Sequence, residues 1–189
     1  MMSVSFYGLK ENIEYGHEAI ARAKKDYPNG FKSNTYYEIF SDEKSPEVTD
    51  KYRKGIEKSR EEVKYKMRQG LLEREATEVV VKDTGYANCG EQAFIISNRL
   101  NEMGIKHKLV NMVICSANTN YVDNGHTFCV IDTDNPIDPR EPRNWSDDAV
   151  VVDMWSNTVS KGKDAIEYFY KIFKPHPRKQ HVRFTSVFE

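Results

Sequence analysis

The chain has 189 residues, 39% hydrophobic and 30% charged, a balance that suits one soluble domain able to bury its own core. Its formal net charge of -1 excludes a global basic field for nucleic acid or anionic lipid. No stretch approaches the roughly 20 apolar residues of a membrane span, and Met1 to Glu14 has no apolar run of signal-peptide length. The expectation is a protein that is secreted without a cleaved signal peptide, or is otherwise cytoplasmic.

The first third is polar and helix-leaning. His17 to Lys25 carries Ala19, Ile20 and Ala23 at helical spacing, and Pro28-Asn29-Gly30 ends that segment. Asn34 to Phe40 is ambiguous between helix and strand. From Pro46 to about Arg74 a narrow stripe of Tyr52, Ile56, Val63, Met67 and Leu71 predicts one long or broken helix, with Gly55 and Gly70 as its weak points. The texture changes near residue 76, which divides a helical part (about 1–75) facing substrate or partner from a core (about 76–189). Val79-Val80-Val81 is a short apolar run, and Thr84 to Asn88 reads as a turn. Cys89 to Met103 is a helix with Asn88 as N-cap, Glu91 in the first turn and Gly104 just past its end. Three strands follow, over Lys108 to Cys115, His126 to Ile131 and Ala149 to Trp155, with Asn124-Gly125 as a turn. Thr133 to Asp148 is a Pro- and Asp-rich loop, read as a substrate-side lid or a solvated segment. Lys163 to Phe173 is an amphipathic helix, and Val182 to Phe188 a closing edge strand. Helices first and consecutive strands later predict an α+β fold, with an antiparallel sheet packed on the Cys89 helix.

Of the three cysteines, none lies in a CxxC pair, which argues against a zinc knuckle or a redox pair. Cys115 and Cys129 lie inside apolar strands and read as buried thiols. Cys89 differs, because a helix start offers unpaired N–H groups and the positive end of the macrodipole to a sulfur anion. Its own N–H is placed to donate to an oxyanion, and Gly90 leaves room for a substrate. His126 is the candidate base, open at a strand end beside a Gly turn. Asp153, late in a buried strand, requires a partner. If strands 126–131 and 149–155 are antiparallel neighbours, that partner is His126. The remaining histidines, His17, His107, His176 and His181, have no fitting partners and read as surface or edge residues.

Asn88-Cys89-Gly90-Glu91-Gln92-Ala93, Gly125-His126-Thr127-Phe128 and Val151-Val152-Asp153-Met154-Trp155 together resemble the papain-like and transglutaminase-like cysteine superfamily, most of all the variants among secreted bacterial virulence effectors. The resemblance spans about Gly85 to Trp155. It implies Cys89 as nucleophile, His126 as base and Asp153 as orienting acid, with a protein substrate, such as a host protein, and with no cofactor and no metal. Trp155 is a candidate at the substrate side that would shield the His126–Asp153 hydrogen bond from water, with simple core packing as the equal alternative. Papain places a Gln several residues before its nucleophile as a second oxyanion donor, whereas this chain has Asp83 and Thr84 there. The second donor is then Asn88, Thr84 or a backbone N–H, or is absent. The implied chemistry is acyl transfer through a thioester: deamidation or transglutaminase-type modification of Gln, with proteolysis as the alternative. A non-catalytic interaction module on the same fold is a further alternative. A Cys89, His126 and Asp153 metal site lacks the short ligand spacing of most zinc sites.

Overall fold

The computed structural model describes residues 8–117, 122–132 and 138–187. It is α+β, with six α-helices and one five-stranded antiparallel sheet among those residues. No helix among them is long and apolar enough to cross a membrane.

Helix α1 spans Leu9–Asp26, starting well before the expected His17. The apolar stripe of Leu9, Ile13, Ala19, Ile20 and Ala23 continues back through two turns. Gly16 sits inside it because a Cβ there would lie 2.7 Å from Val159 and 2.9 Å from Val152. The ambiguous segment is helix α2, Asn34–Phe40, with the Ser33 hydroxyl accepting the Tyr36 N–H at 3.2 Å. Its seven residues bury none of their side chains, so tertiary hydrogen bonds, described below, decide its conformation.

The predicted long helix is broken, into α3 (Pro46–Arg68) and α4 (Glu73–Thr84). The break falls at Gly70, whose φ of +101° suits only glycine. Gly55 does not weaken α3; it receives the ring of Tyr86, which a Cβ would meet at 2.4 Å. The Val79 to Val81 run belongs to α4, so the expected boundary near residue 76 lies within a helix. Gly85, at φ +74°, caps α4. Helix α5 then runs Cys89–Glu102. Buried Arg99 ties it to its neighbours through Asp26 on α1, 2.8 Å away, and Glu78 on α4.

The strands are β1 (His107–Ser116), β2 (Val122–Ile131), β3 (Val150–Asp153), β4 (Thr158–Lys161) and β5 (Gln180–Ser186), in the order β4-β3-β2-β1-β5. Helix α6, Gly162–Phe173, precedes β5. Leu109, Cys129, Ile131, Val150 and Val152 pack with α1 and α5 on one face of the sheet. Val110, Met112, Phe128, Val130 and Val151 pack with Ala165 and Phe169 of α6 on the other. Two strand expectations need correction. Asn124-Gly125 is not a turn: both residues lie in β2, opposite Ile114 and Val113. The sequence reading also missed β4, a four-residue edge strand with no buried side chain. Of the predicted loop, residues 133–137, including Asp134, lie outside the described residues, as do Phe188 and the first seven positions. The rest of the loop holds a 3-10 turn, Pro142–Asn144, and buries Trp145 on the α6 face.

Candidate active site

Strands β2 and β3 pair antiparallel over Cys129–Ile131 and Val150–Val152. Asp153 ends β3, while β2 runs on past it to His126. The two side chains meet there, with His126 Nε2 2.8 Å from Asp153 Oδ2. The carboxylate is fully occupied. Oδ1 accepts the Trp155 N–H at 3.0 Å, and Oδ2 also accepts the Ser156 N–H at 3.3 Å and the Ser156 hydroxyl. A carboxylate can only accept, so Nε2 carries the proton. The Asp153-to-Asn157 turn thus clamps the acid that orients the ring. Ser156 was not singled out from sequence, although a Ser three residues after an Asp in a turn is a usable signal.

His126 is not open to solvent as expected; only 1% of its surface is exposed. It lies within β2, not at its start, opposite Met112 of β1. Four aromatic rings surround it: Phe169 at 4.7 Å, Trp155 at 4.8 Å, Phe173 at 5.3 Å and Phe128 at 5.8 Å between centroids. Phe169 and Phe173 come from α6 at helical spacing, a signal present in the sequence but read only as amphipathicity. Burial opposes charge on the imidazole. The Asp153 charge and hydrogen bond, reinforced by Cys89, outweigh it and hold the ring's pKa above the ordinary imidazole value.

The other ring nitrogen, Nδ1, is buried without an aligned hydrogen-bond partner. Cys89 nevertheless lies close enough for its sulfur to help keep the ring protonated. Cys89 is the first residue of α5 and half-buried. Its N–H, at the helix start, has no intrahelical acceptor. A Cβ on Gly90, the next residue, would meet nothing within 4 Å, so the space over Gly90 is open. The other thiols are enclosed. Cys129 points at Ala93 O, 3.4 Å away, and burial pushes its pKa up. Cys115 is buried and receives the Arg183 guanidinium at 3.4 Å.

The remaining predicted residues have definite places. The Asn88 N–H donates to Glu91 Oε2 at 2.9 Å. Its side-chain oxygen accepts the Ser33 hydroxyl at 2.7 Å and the Thr35 hydroxyl at 3.2 Å, and its NH2 donates to Asn34 Oδ1 at 3.0 Å. Trp155 is buried and donates through Nε1 to the same Ser33 oxygen at 3.2 Å. One buried hydroxyl thus links the start of α5 to the ring over His126, and these bonds fix α2. Tyr36 and Phe40 of α2 pack on Trp155 at 5.8 and 5.4 Å. The Thr84 hydroxyl donates to Val80 O at 2.9 Å and faces Ser59. That proton is committed within α4 and is not available to an oxyanion at Cys89. Gln92 is buried and donates to Ala87 O at 3.0 Å. His107 does have partners: Ser97 Oγ at 2.7 Å and Ile105 O at 2.9 Å. No group of three or more His, Cys, Asp or Glu side chains among the described residues is placed to hold a metal ion.

This arrangement gathers a half-exposed thiol, an oriented imidazole and a clamped carboxylate where the end of β3 meets the central strand β2. Compared with protein-family models, curated proteins and solved structures, the chain matches none.

Proposed function

We propose that the chain is a cysteine-dependent acyl-transfer enzyme that acts on a protein substrate through a thioester. The observation that carries this reading is the state of His126. One nitrogen is held by Asp153 at 2.8 Å, and the other is buried beside Cys89, whose sulfur helps hold the ring's proton. A ring proton facing a thiol in a buried setting is placed for exchange with that thiol. A nucleophile helix followed by His and Asp on adjacent antiparallel strands supports a papain-like or transglutaminase-like core.

In this reading the Cys89 sulfur, its proton held at Nδ1, bonds to the carbonyl carbon of a Gln side-chain amide. The Cys89 N–H stabilises the developing oxyanion. His126 gives its proton to the leaving nitrogen, ammonia departs and a thioester remains. Water then attacks, His126 takes its proton, and the sulfur leaves as the Gln becomes Glu. A lysine acceptor in place of water gives a crosslink, and a peptide bond in place of the side-chain amide gives proteolysis. A secreted bacterial effector acting on a host protein is the setting that the sequence resemblance favours.

Mass spectrometry of candidate protein substrates, incubated with wild type and with Cys89→Ala, tests the proposal. A Cys89-dependent gain of about 1 Da at Gln is expected. A new terminus or a crosslink would redirect the reaction class. No Cys89-dependent change across a broad panel would favour the interaction module.

A further inference from the structure

A groove of about 200 Å³ runs between α3, α4 and the start of α5, reaching Gly90 and Glu91, the two residues after Cys89. Val63, Met67, Val81 and Phe94 give it an apolar floor, Gly90 borders it next to Cys89, and Arg60 lines it from α3. Its volume is below the usual range for a small-molecule site and matches one or two side chains. Arg60 is held in a defined place. Its Nε donates to Glu91 Oε1 at 2.7 Å, while the other oxygen of Glu91 binds the Asn88 N–H at the helix start. Glu91 engages only Nε. The outer edge of the guanidinium, Nη1 and Nη2, has no partner among the described residues, and the side chain is 53% exposed. Lys64, the other cation of the groove, is paired with Glu61 at 2.7 Å. Arg60 is also near enough to Cys89 for a negative sulfur to stabilise its charge.

A guanidinium offering two parallel N–H donors is matched to a carboxylate. We propose that Arg60 and the Gly90 groove form a substrate subsite that takes an acidic residue flanking the one attacked by Cys89, with Arg60 Nη1 and Nη2 on its carboxylate and the apolar floor under its methylenes. Specificity for an acidic sequence context follows, set by one arginine outside the triad. The inference rests on Cys89 being the nucleophile.

Two alkylating reagents of nearly equal size read both claims separately. Iodoacetamide is neutral and iodoacetate carries a carboxylate; each bonds its CH2 to sulfur and releases iodide. The rates at Cys89 of the full chain are followed by peptide mass spectrometry at pH 7. The iodoacetate-to-iodoacetamide ratio is expected to be about fivefold above that of a small model thiol at low salt, and to fall towards it in 0.5 M NaCl (about 4 Å screening length). Arg60→Gln returns the ratio to the model value, and Arg60→Lys retains part of it. A wild-type ratio equal to the model thiol, or one unchanged by both salt and Arg60→Gln, overturns the subsite and leaves the nucleophile standing. Failure of Cys89 to react with either reagent contradicts the nucleophile, and the subsite with it.

Discussion

The two sides of the site are built differently. The His126 side is a dry wall, with the imidazole and Asp153 both at most 2% exposed and four aromatic rings around the former. The Cys89 side is open, with a half-buried sulfur, free space over Gly90 and a shallow groove lined by Arg60. In the proposed enzyme, a base fixed in a packed core is oriented without a flexible loop, and a nucleophile left at a helix end is open to a macromolecular substrate. Changes in the wall should therefore act on stability and pH response, and changes on the open side on substrate.

The wall breaks first at its charges. Asp153→Ala removes the carboxylate that holds the ring and strands four donors: the His126, Trp155 and Ser156 N–H groups and the Ser156 hydroxyl. It is expected to cost about 3–5 kcal/mol in urea unfolding, as loss of one partner of a buried pair does. A cost below about 1 kcal/mol would mean that the pair is not buried as described. Phe169→Ala, which opens a cavity against His126 and Phe128, is expected to cost about 3–4 kcal/mol. It should also expose the ring to solvent, detectable as a shifted imidazole resonance.

The pH response of the wall has a definite sign. The folded ring holds its proton above the unfolded value of 6.5. Its contribution is therefore fully present below about pH 6.5 and is lost as pH rises through the folded pKa, with a limiting slope of about -1.4 kcal/mol per pH unit. Unfolding midpoints from pH 6 to 9 should fall more in wild type than in His126→Gln. Equal slopes would contradict a raised imidazole pKa. On the open side the expectation is nearly opposite. Gly90→Ala meets no neighbour and should change stability by less than about 1 kcal/mol, in the stabilising direction set by helix propensity. Its effect should appear in the KM for a protein substrate, and loss of stability instead would show that the space is filled.

The same division decides what could be read in advance. Helix α5, the β1 and β3 runs and α6 were legible because Gly, Pro and apolar periodicity delimit them locally. The contact between His126 and Asp153 was legible because one antiparallel pairing implies it. The depth of His126 was not, since its walls come from Trp155, Phe169 and Phe173, as many as 47 positions away along the chain. Helix α2 was ambiguous because it buries nothing and is held by Asn88 and by rings beyond it. Strand β4 was silent because four half-buried edge residues leave no alternation strong enough to notice. Nothing local in the sequence sets Arg60 apart from the other cations of α3, because its place depends on α3 and α5 meeting through Glu91.

The central claim, that the His126 wall serves the Cys89 sulfur, is tested most directly by the rate of Cys89 carbamidomethylation at pH 6 in wild type and in His126→Ala. The account predicts that wild-type Cys89 reacts at least about tenfold faster than a small model thiol and that the variant loses this advantage. A wild-type rate no greater than that of the model thiol, or one that survives removal of His126, would contradict it.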